Sequence, residues 1–200
     1  MRHLVVFAKA PRLGAVKTRL AADIGWVAAT AFHRNTIQSV LRRLGRDRRW
    51  RCWLAVTPDT AAFPWPAGWR CIGQGTGDLG QRMARPARLL PPGPVVIVGT
   101  DVPDIAPHHI AAAFKALGPN DVVFGPAEDG GYWLVGFRRR PRVPQIFGGV
   151  RWSSEHALAD TLANLDEGVA ATFLETLTDI DDGAAYRRWK KKRTPSNETA

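Results

Sequence analysis

Cysteine is scarce in this 200-residue chain, which has only Cys52 and Cys71. Neither stands in a metal-ligand spacing, and both read as buried thiols rather than as a disulfide. No apolar run approaches the length of a membrane span. The opening residues, Met1-Arg2-His3-Leu4-Val5-Val6-Phe7-Ala8, lack a cleavable leader pattern and read as a first strand, which points to a cytoplasmic protein. No serine sits in a Gly-x-Ser-x-Gly elbow, and no Ser-His-Asp arrangement stands out. The histidines carry no ligand spacing: His33 and His156 read as surface or core residues, and His108 and His109 as the start of a helix. Acid is in deficit, with 18 Asp and Glu against 28 Lys and Arg, a net charge of +10.

That excess is not one stripe. Arg42, Arg43, Arg46, Arg48, Arg49 and Arg51 gather near a helix end. Arg138, Arg139, Arg140 and Arg142 follow a strand, and Arg187, Arg188, Lys190, Lys191, Lys192 and Arg193 form a tail. Cations suit helix C-termini, and most of these read as solvated. Nucleic-acid binding is the weakest reading, because aromatic residues do not interleave with the basic ones as in single-strand binders.

The apolar content of 45% is that of an ordinary globular protein, and the length suits one domain over residues 1–190. Residues 191–200 read as a disordered basic and polar tail. Strand patterns fall at residues 3–9, 50–57, 70–72, 95–98, 121–125 and 132–136. Helix patterns fall at 26–44, 78–90, 107–117 and 152–165, the last with Ser153 or Ser154 as its cap, and a final helix follows residues 179–182. Pro86 is expected to kink or shorten the second of these. Strands alternating with helices imply a three-layer α/β/α domain with a mostly parallel central sheet.

Four constellations could carry chemistry. The run Val95-Val96-Ile97-Val98 reads as a strand buried on both faces, and it delivers Asp101 just past its carboxyl end, where open α/β sheets bind ligands. Asp104 closes the following turn. The loop after the first strand carries Lys9, Arg12, Lys17 and Arg19 with Gly14 and Thr18 among them, a set suited to phosphate. It is not a P-loop, since Val16 stands where that motif needs glycine. The third is Glu128-Asp129-Gly130-Gly131-Tyr132 between two strands. It reads either as a plain hairpin turn or as a second carboxylate, Asp129, on the same cleft, with Gly130, Gly131 and Tyr132 lining a substrate pocket. The fourth, Gly77-Asp78-Leu79-Gly80-Gln81-Arg82, reads either as a nucleotide-binding turn or as a helix start with Asp78 and Gln81 in capping-box spacing.

Five of these segments, in order, resemble the DUF2064 family: Phe7-Ala8-Lys9-Ala10-Pro11, Gly14-Ala15-Val16-Lys17-Thr18-Arg19-Leu20, Gly77-Asp78-Leu79-Gly80-Gln81-Arg82-Met83, Gly99-Thr100-Asp101-Val102-Pro103, and Gly125-Pro126-Ala127-Glu128-Asp129-Gly130-Gly131-Tyr132-Trp133-Leu134. Trp152-Ser153-Ser154 and Asp179-Ile180-Asp181 also fit. The resemblance implies the nucleotide-diphospho-sugar transferase (GT-A) fold. By motif position it assigns nucleotide phosphates to Lys17 and Arg19 and a magnesium ion to Asp101. After the central strand the chain has Thr100-Asp101-Val102-Pro103-Asp104 and not the Asp-x-Asp of glycosyltransferases.

The expectation is therefore a transferase dependent on Mg2+ or Mn2+. Its catalytic residues would be Lys17 and Asp101, its metal ligands Asp101 and Asp129, and its phosphate contacts Lys9, Arg12, Gly14, Lys17, Thr18, Arg19, Gly77, Asp78, Gly80 and Arg82. Its partners would be a nucleotide or nucleotide-sugar donor and a small-molecule acceptor. Both glycosyl and nucleotidyl transfer leave a metal-bound phosphate, so the residues do not separate them. The alternative is a non-catalytic nucleotide- or anion-binding protein.

Overall fold

The computed structural model describes residues 1–140 and 142–193; of the tail expected at 191–200, residues 194–200 lie outside the described residues. In chain order the elements are β1 (His3–Lys9), α1 (Thr18–Ile24), α2 (Trp26–Gly45), β2 (Arg51–Thr57), β3 (Arg70–Gly73), α3 (Leu79–Leu89) and β4 (Val95–Val98). They continue with α4 (Pro107–Ala116), β5 (Val122–Pro126), β6 (Tyr132–Phe137), α5 (Ala157–Ala163), β7 (Ala171–Phe173) and α6 (Gly183–Arg193). Residues 191–193, placed in the tail by the sequence pattern, belong to α6.

The seven strands form one sheet in the order β3-β2-β1-β4-β6-β5-β7. Strand β6 alone is antiparallel, hydrogen-bonded to β4 and β5, while the other pairs are parallel. Each parallel strand sends alternate side chains to opposite faces. Leu4, Val6, Val96 and Val98 pack on one face with Ile37, Val40 and Leu41 of α2 and Ile110 and Phe114 of α4. Val5, Val95 and Ile97 pack on the other with Met83 and Ala87 of α3 and Leu158 and Leu162 of α5. A smaller core joins Leu20 and Ala21 of α1, Phe32 of α2, and Ala185 and Trp189 of α6. The result is the three-layer arrangement expected from the alternation of strands and helices.

Local chemistry explains the boundaries that shifted. The helix expected from Trp152 begins only at Ala157, because Ser153 sits in the left-handed region (φ 59°) and Ser154 turns back onto Arg151 O; neither serine caps it. Asp78 and Gln81 do form a reciprocal capping box, and α3 runs on through Pro86 to Leu89. Cys52 is half-buried and Cys71 is exposed, so the expectation of two buried thiols fails for Cys71, which lies on the short strand β3 at the sheet edge.

Gly136 lies where β6 crosses the core. A Cβ there would come within 2.7 Å of Val123 Cγ1 and 3.2 Å of Leu117 and Val96 methyls. Gly136→Val therefore overpacks a filled layer, and urea unfolding should show a loss of about 1–3 kcal/mol.

Candidate active site

The carboxyl ends of β1, β2 and β4 and the β5–β6 hairpin open into one cavity of about 610 Å³. Lys9 marks the end of β1, and the chain then loops through residues 10–17 into α1. Lys17 holds a left-handed backbone (φ 49°, ψ 48°), uncommon for a residue with a Cβ. That geometry buries its side chain at 4% exposure and lays Nζ between two carboxylates. Nζ is 2.5 Å from Asp101 Oδ1 and 2.6 Å from Asp181 Oδ1. Arg19 Nη2 donates to the other oxygen of Asp181 at 3.0 Å.

Asp101 follows β4 as the strand pattern implied. Its backbone carbonyl accepts from Ile180 N at 2.9 Å, which ties the segment before α6 to the end of β4. Asp179 and Asp181 flank that bond, and both border the cavity. Asp129 borders it too, while its Oδ1 accepts from Gly131 N at 2.9 Å. The turn is a hairpin, and Asp129 borders the cleft. Tyr132 lies beside it; burial raises its phenol pKa, and its OH meets Thr161 Oγ1 at 3.5 Å.

The charges shape one another. Burial works against both charged forms of the Lys17–Asp101 pair. The carboxylates of Asp101 and Asp181 outweigh it and raise the Lys17 pKa. At Asp101 the Lys17 ammonium outweighs it and holds the carboxyl below its usual range, although half of that side chain opens to the cavity. Asp179 goes the other way. Burial first, and then the like charges of Asp129 and Asp181, push it up to about 6. A group that binds its proton more tightly folded than unfolded adds stability below the ordinary carboxylate range and loses it as pH rises through the folded value. The unfolding free energy from urea titrations should thus fall between about pH 4 and pH 6, by on the order of 1–2 kcal/mol, and Asp179→Asn should flatten that window.

Of the residues expected at the site, the structure brings Lys9, Lys17, Thr18, Arg19, Asp101, Asp129, Gly131 and Tyr132 to this cavity. Arg12 and Gly14 lie on the exposed outer turn of the loop. Gly130 turns away with φ 84°, its Cα packed against the Glu155 backbone. Gly77, Asp78 and Gly80 line a separate cleft, and the Asp78 carboxylate is taken up in capping α3. Arg82 donates Nε to Gly77 O at 2.8 Å. Asp104 accepts from Trp189 of α6 and plays no part in the cavity.

Sequence reasoning assigned no site role to Asp179, Asp181, His33 or Gln74. Asp179-Ile180-Asp181 is a literal Asp-x-Asp, but it precedes a helix instead of ending a central strand. His33, on α2, is buried; its Nε2–H donates to Lys9 O at 2.9 Å, and burial lowers its pKa. Gln74 fixes its amide nitrogen on the Ala55 carbonyl at 3.0 Å.

A tighter His/carboxylate group exists elsewhere. Candidate ligand atoms of His108, His109 and Glu175 lie within 4.8 Å of one another. His109 Nδ1, however, accepts from the Ala106 backbone N–H at 2.9 Å. That leaves the proton on Nε2, which faces Glu175 Oε1 at 3.1 Å. With both ring nitrogens engaged, His109 has no lone pair for a metal, and the cluster reads as a cap for α4.

The mostly parallel sheet, helices on both faces and a cavity at the strand ends define a three-layer α/β/α fold, and its solved structural neighbours have nucleotidyltransferase-like, GT-A-type folds. The chain belongs to the family described as uncharacterized protein conserved in bacteria (DUF2064), whose model matches residues 40–154. A crystal structure from Desulfovibrio desulfuricans G20, provisionally labelled a nucleotide-diphospho-sugar transferase, is 28% identical with a TM-score of 0.85, covering 98% of this chain and 89% of that one. A nucleotidyl transferase from Methanothermobacter thermautotroptrophicus is 13% identical with a TM-score of 0.63, covering 96% and 97%. Rv0371c from Mycobacterium tuberculosis, in complex with manganese, is 17% identical with a TM-score of 0.50, covering 94% and 96%. The last two share the fold alone. No curated protein matches the chain.

Proposed function

We propose that the protein is a divalent-metal-dependent transferase that takes a nucleotide or nucleotide sugar as donor. The observation that carries this reading is the meeting of Lys17 with Asp101 and Asp181 in one cavity at the carboxyl edge of the sheet. Cations suit the phosphates of such a donor, and carboxylates suit a hard dication.

Asp101 and Asp181 are the primary candidates to hold Mg2+ or Mn2+, with Asp129 and Asp179 at the same cavity. The donor set is all carboxylate oxygen, the chemistry these ions prefer. The pKa of Asp179, raised by burial first and then by the like charges of Asp129 and Asp181, agrees with the fit in its second cause, which a dication would relieve. The four carboxylates do not gather as closely as the His109 cluster, so side chains must converge on an ion. A bound ion would supply charge neutralisation on the leaving phosphate. Lys17 and Arg19 would exchange carboxylate for phosphate oxygens and add to that neutralisation as charge builds. Tyr132, held neutral by burial, and the Gly131 backbone would seat the acceptor.

Two reactions fit these roles: attack of an acceptor phosphate on the α-phosphorus with loss of pyrophosphate, and attack on an anomeric carbon with loss of a nucleoside diphosphate. Incubation with labelled nucleoside triphosphates and with nucleotide sugars, each with Mg2+ or Mn2+, tests the proposal and separates the two. Pyrophosphate release supports nucleotidyl transfer, and nucleoside diphosphate release from a sugar donor supports glycosyl transfer. Turnover of neither, with nucleotide affinity indifferent to the metal, would overturn the proposal in favour of a binding protein.

A further inference from the structure

The Gly77–Arg82 motif, which gives the first cavity only Leu79, opens into a second of about 810 Å³ between α3 and residues 143–149. Its chemistry is lopsided. Arg85 and Arg88 line the cleft, Arg82 precedes them on α3 outside the lining, and none of the three is in an ion pair among the described residues. Their hydrogen bonds reach only neutral oxygens: Arg82 Nε to Gly77 O, Arg85 Nη2 to Thr76 O at 3.4 Å, and Arg88 Nη2 to Gln145 Oε1 at 2.5 Å. Arg85 Nε is buried with no partner. The carboxylate in the lining, Asp78, is used by the helix cap. The facing wall is apolar, with Ile146 and Phe147, and the rim carries Leu89 at 75% exposure. A neighbouring hollow shares Arg88, but its own arginines are already satisfied: Arg142 pairs with Asp166, and Arg139 donates to the carbonyls of Leu90, Pro91 and Gly93.

A row of guanidinium groups without carboxylates is costly through self-repulsion unless an anion answers it. Arginine forks match phosphate oxygens in pairs, and a buried, unpartnered N–H gains most from such a bond. The apolar wall would take a ring or hydrocarbon carried by the same molecule.

We infer that this cleft is a second ligand site, taking a phosphomonoester with an apolar or ring-bearing body. Its lining offers no free base or nucleophile, so it binds without reacting. The inference does not depend on the proposed transferase activity, because the cleft shares no lining residue with the first cavity.

Amide NMR separates the two sites. Phenyl phosphate, titrated without metal or nucleotide, should shift the Gly77, Gly148 and Gly149 amides saturably. Arg85→Gln and Arg88→Gln should each weaken that binding by about tenfold, the order of one charge-assisted contact. Vesicles of phosphatidylcholine containing phosphatidic acid form a second arm. Flotation that is lost in the two variants, without a phenyl phosphate response, assigns the phosphate to a lipid headgroup; the reverse assigns it to a free metabolite. Because Arg88 is exposed, Arg88→Gln guards against a folding artefact. No response in either arm, binding unchanged in both variants, or shifts spread equally over the 42–51 arginines would overturn the inference.

Discussion

Replacing Asp101 by Asn should lower the transfer rate by about 10²- to 10³-fold while leaving the protein folded, the scale on which removal of one electrostatic stabiliser acts. The amide keeps the size of the side chain but gives up the charge that pairs with Lys17 at 2.5 Å and would bind the metal. Because the carboxylate opens to the cavity, stability should change little. Steady-state rates, with Mn2+ binding followed by electron paramagnetic resonance, check this. The variant should need far more Mn2+ for the same occupancy. Unchanged turnover would remove Asp101 from the mechanism.

Lys17→Met carries the second large effect. The ammonium serves two carboxylates here and would serve phosphate in the complex. Its loss should raise the nucleotide Kd and cut turnover, together by about 10²- to 10³-fold. It should also leave Asp101 without its cation and Asp181 with Arg19 alone. Their openness to solvent limits that penalty to about 1–2 kcal/mol, below the cost of breaking a fully buried pair. Adding Asp181→Asn to Lys17→Met should recover much of the stability and none of the activity. Urea unfolding beside kinetics separates the two roles. Full activity in Lys17→Met would leave phosphate binding without its main residue.

The difference between these residues and the ones sequence reasoning passed over is physical. Asp101 was legible because an unbroken β-branched run can only be an inner strand, and whatever follows it reaches the ligand edge. Lys17 was legible because it sits in the loop directly after another such strand. Asp181 belongs to no pattern of this kind. It reaches the cavity through bonds between residues far apart in the chain, Ile180 N to Asp101 O and Gly183 N to Asp23 Oδ2 among them. Strand β7 was missed because three half-exposed residues at a sheet edge show no periodicity. Helix α1 was missed because its seven residues have no side-chain cap, only the left-handed Lys17. The Gly77–Arg82 motif showed its capping chemistry plainly, but not which cavity it faces. That depends on how closely Phe147 and Trp152 approach the bare Gly80, where a Cβ would meet each at 2.6 Å.

The position of β6 has a consequence for the life history of the molecule. Strands β1 to β4 are complete by residue 98, and they form one contiguous half of the sheet. The β5–β6 hairpin joins that half through β6 alone, and the segment carrying Asp179 and Asp181 returns last, anchored by Gly183 N to Asp23 Oδ2 at 2.7 Å. During synthesis Lys17 and Asp101 therefore exist long before Asp181 leaves the ribosome. A nascent chain can shape its N-terminal half early, yet the cavity around Lys17 lacks Asp179 and Asp181 until the segment before α6 has been made.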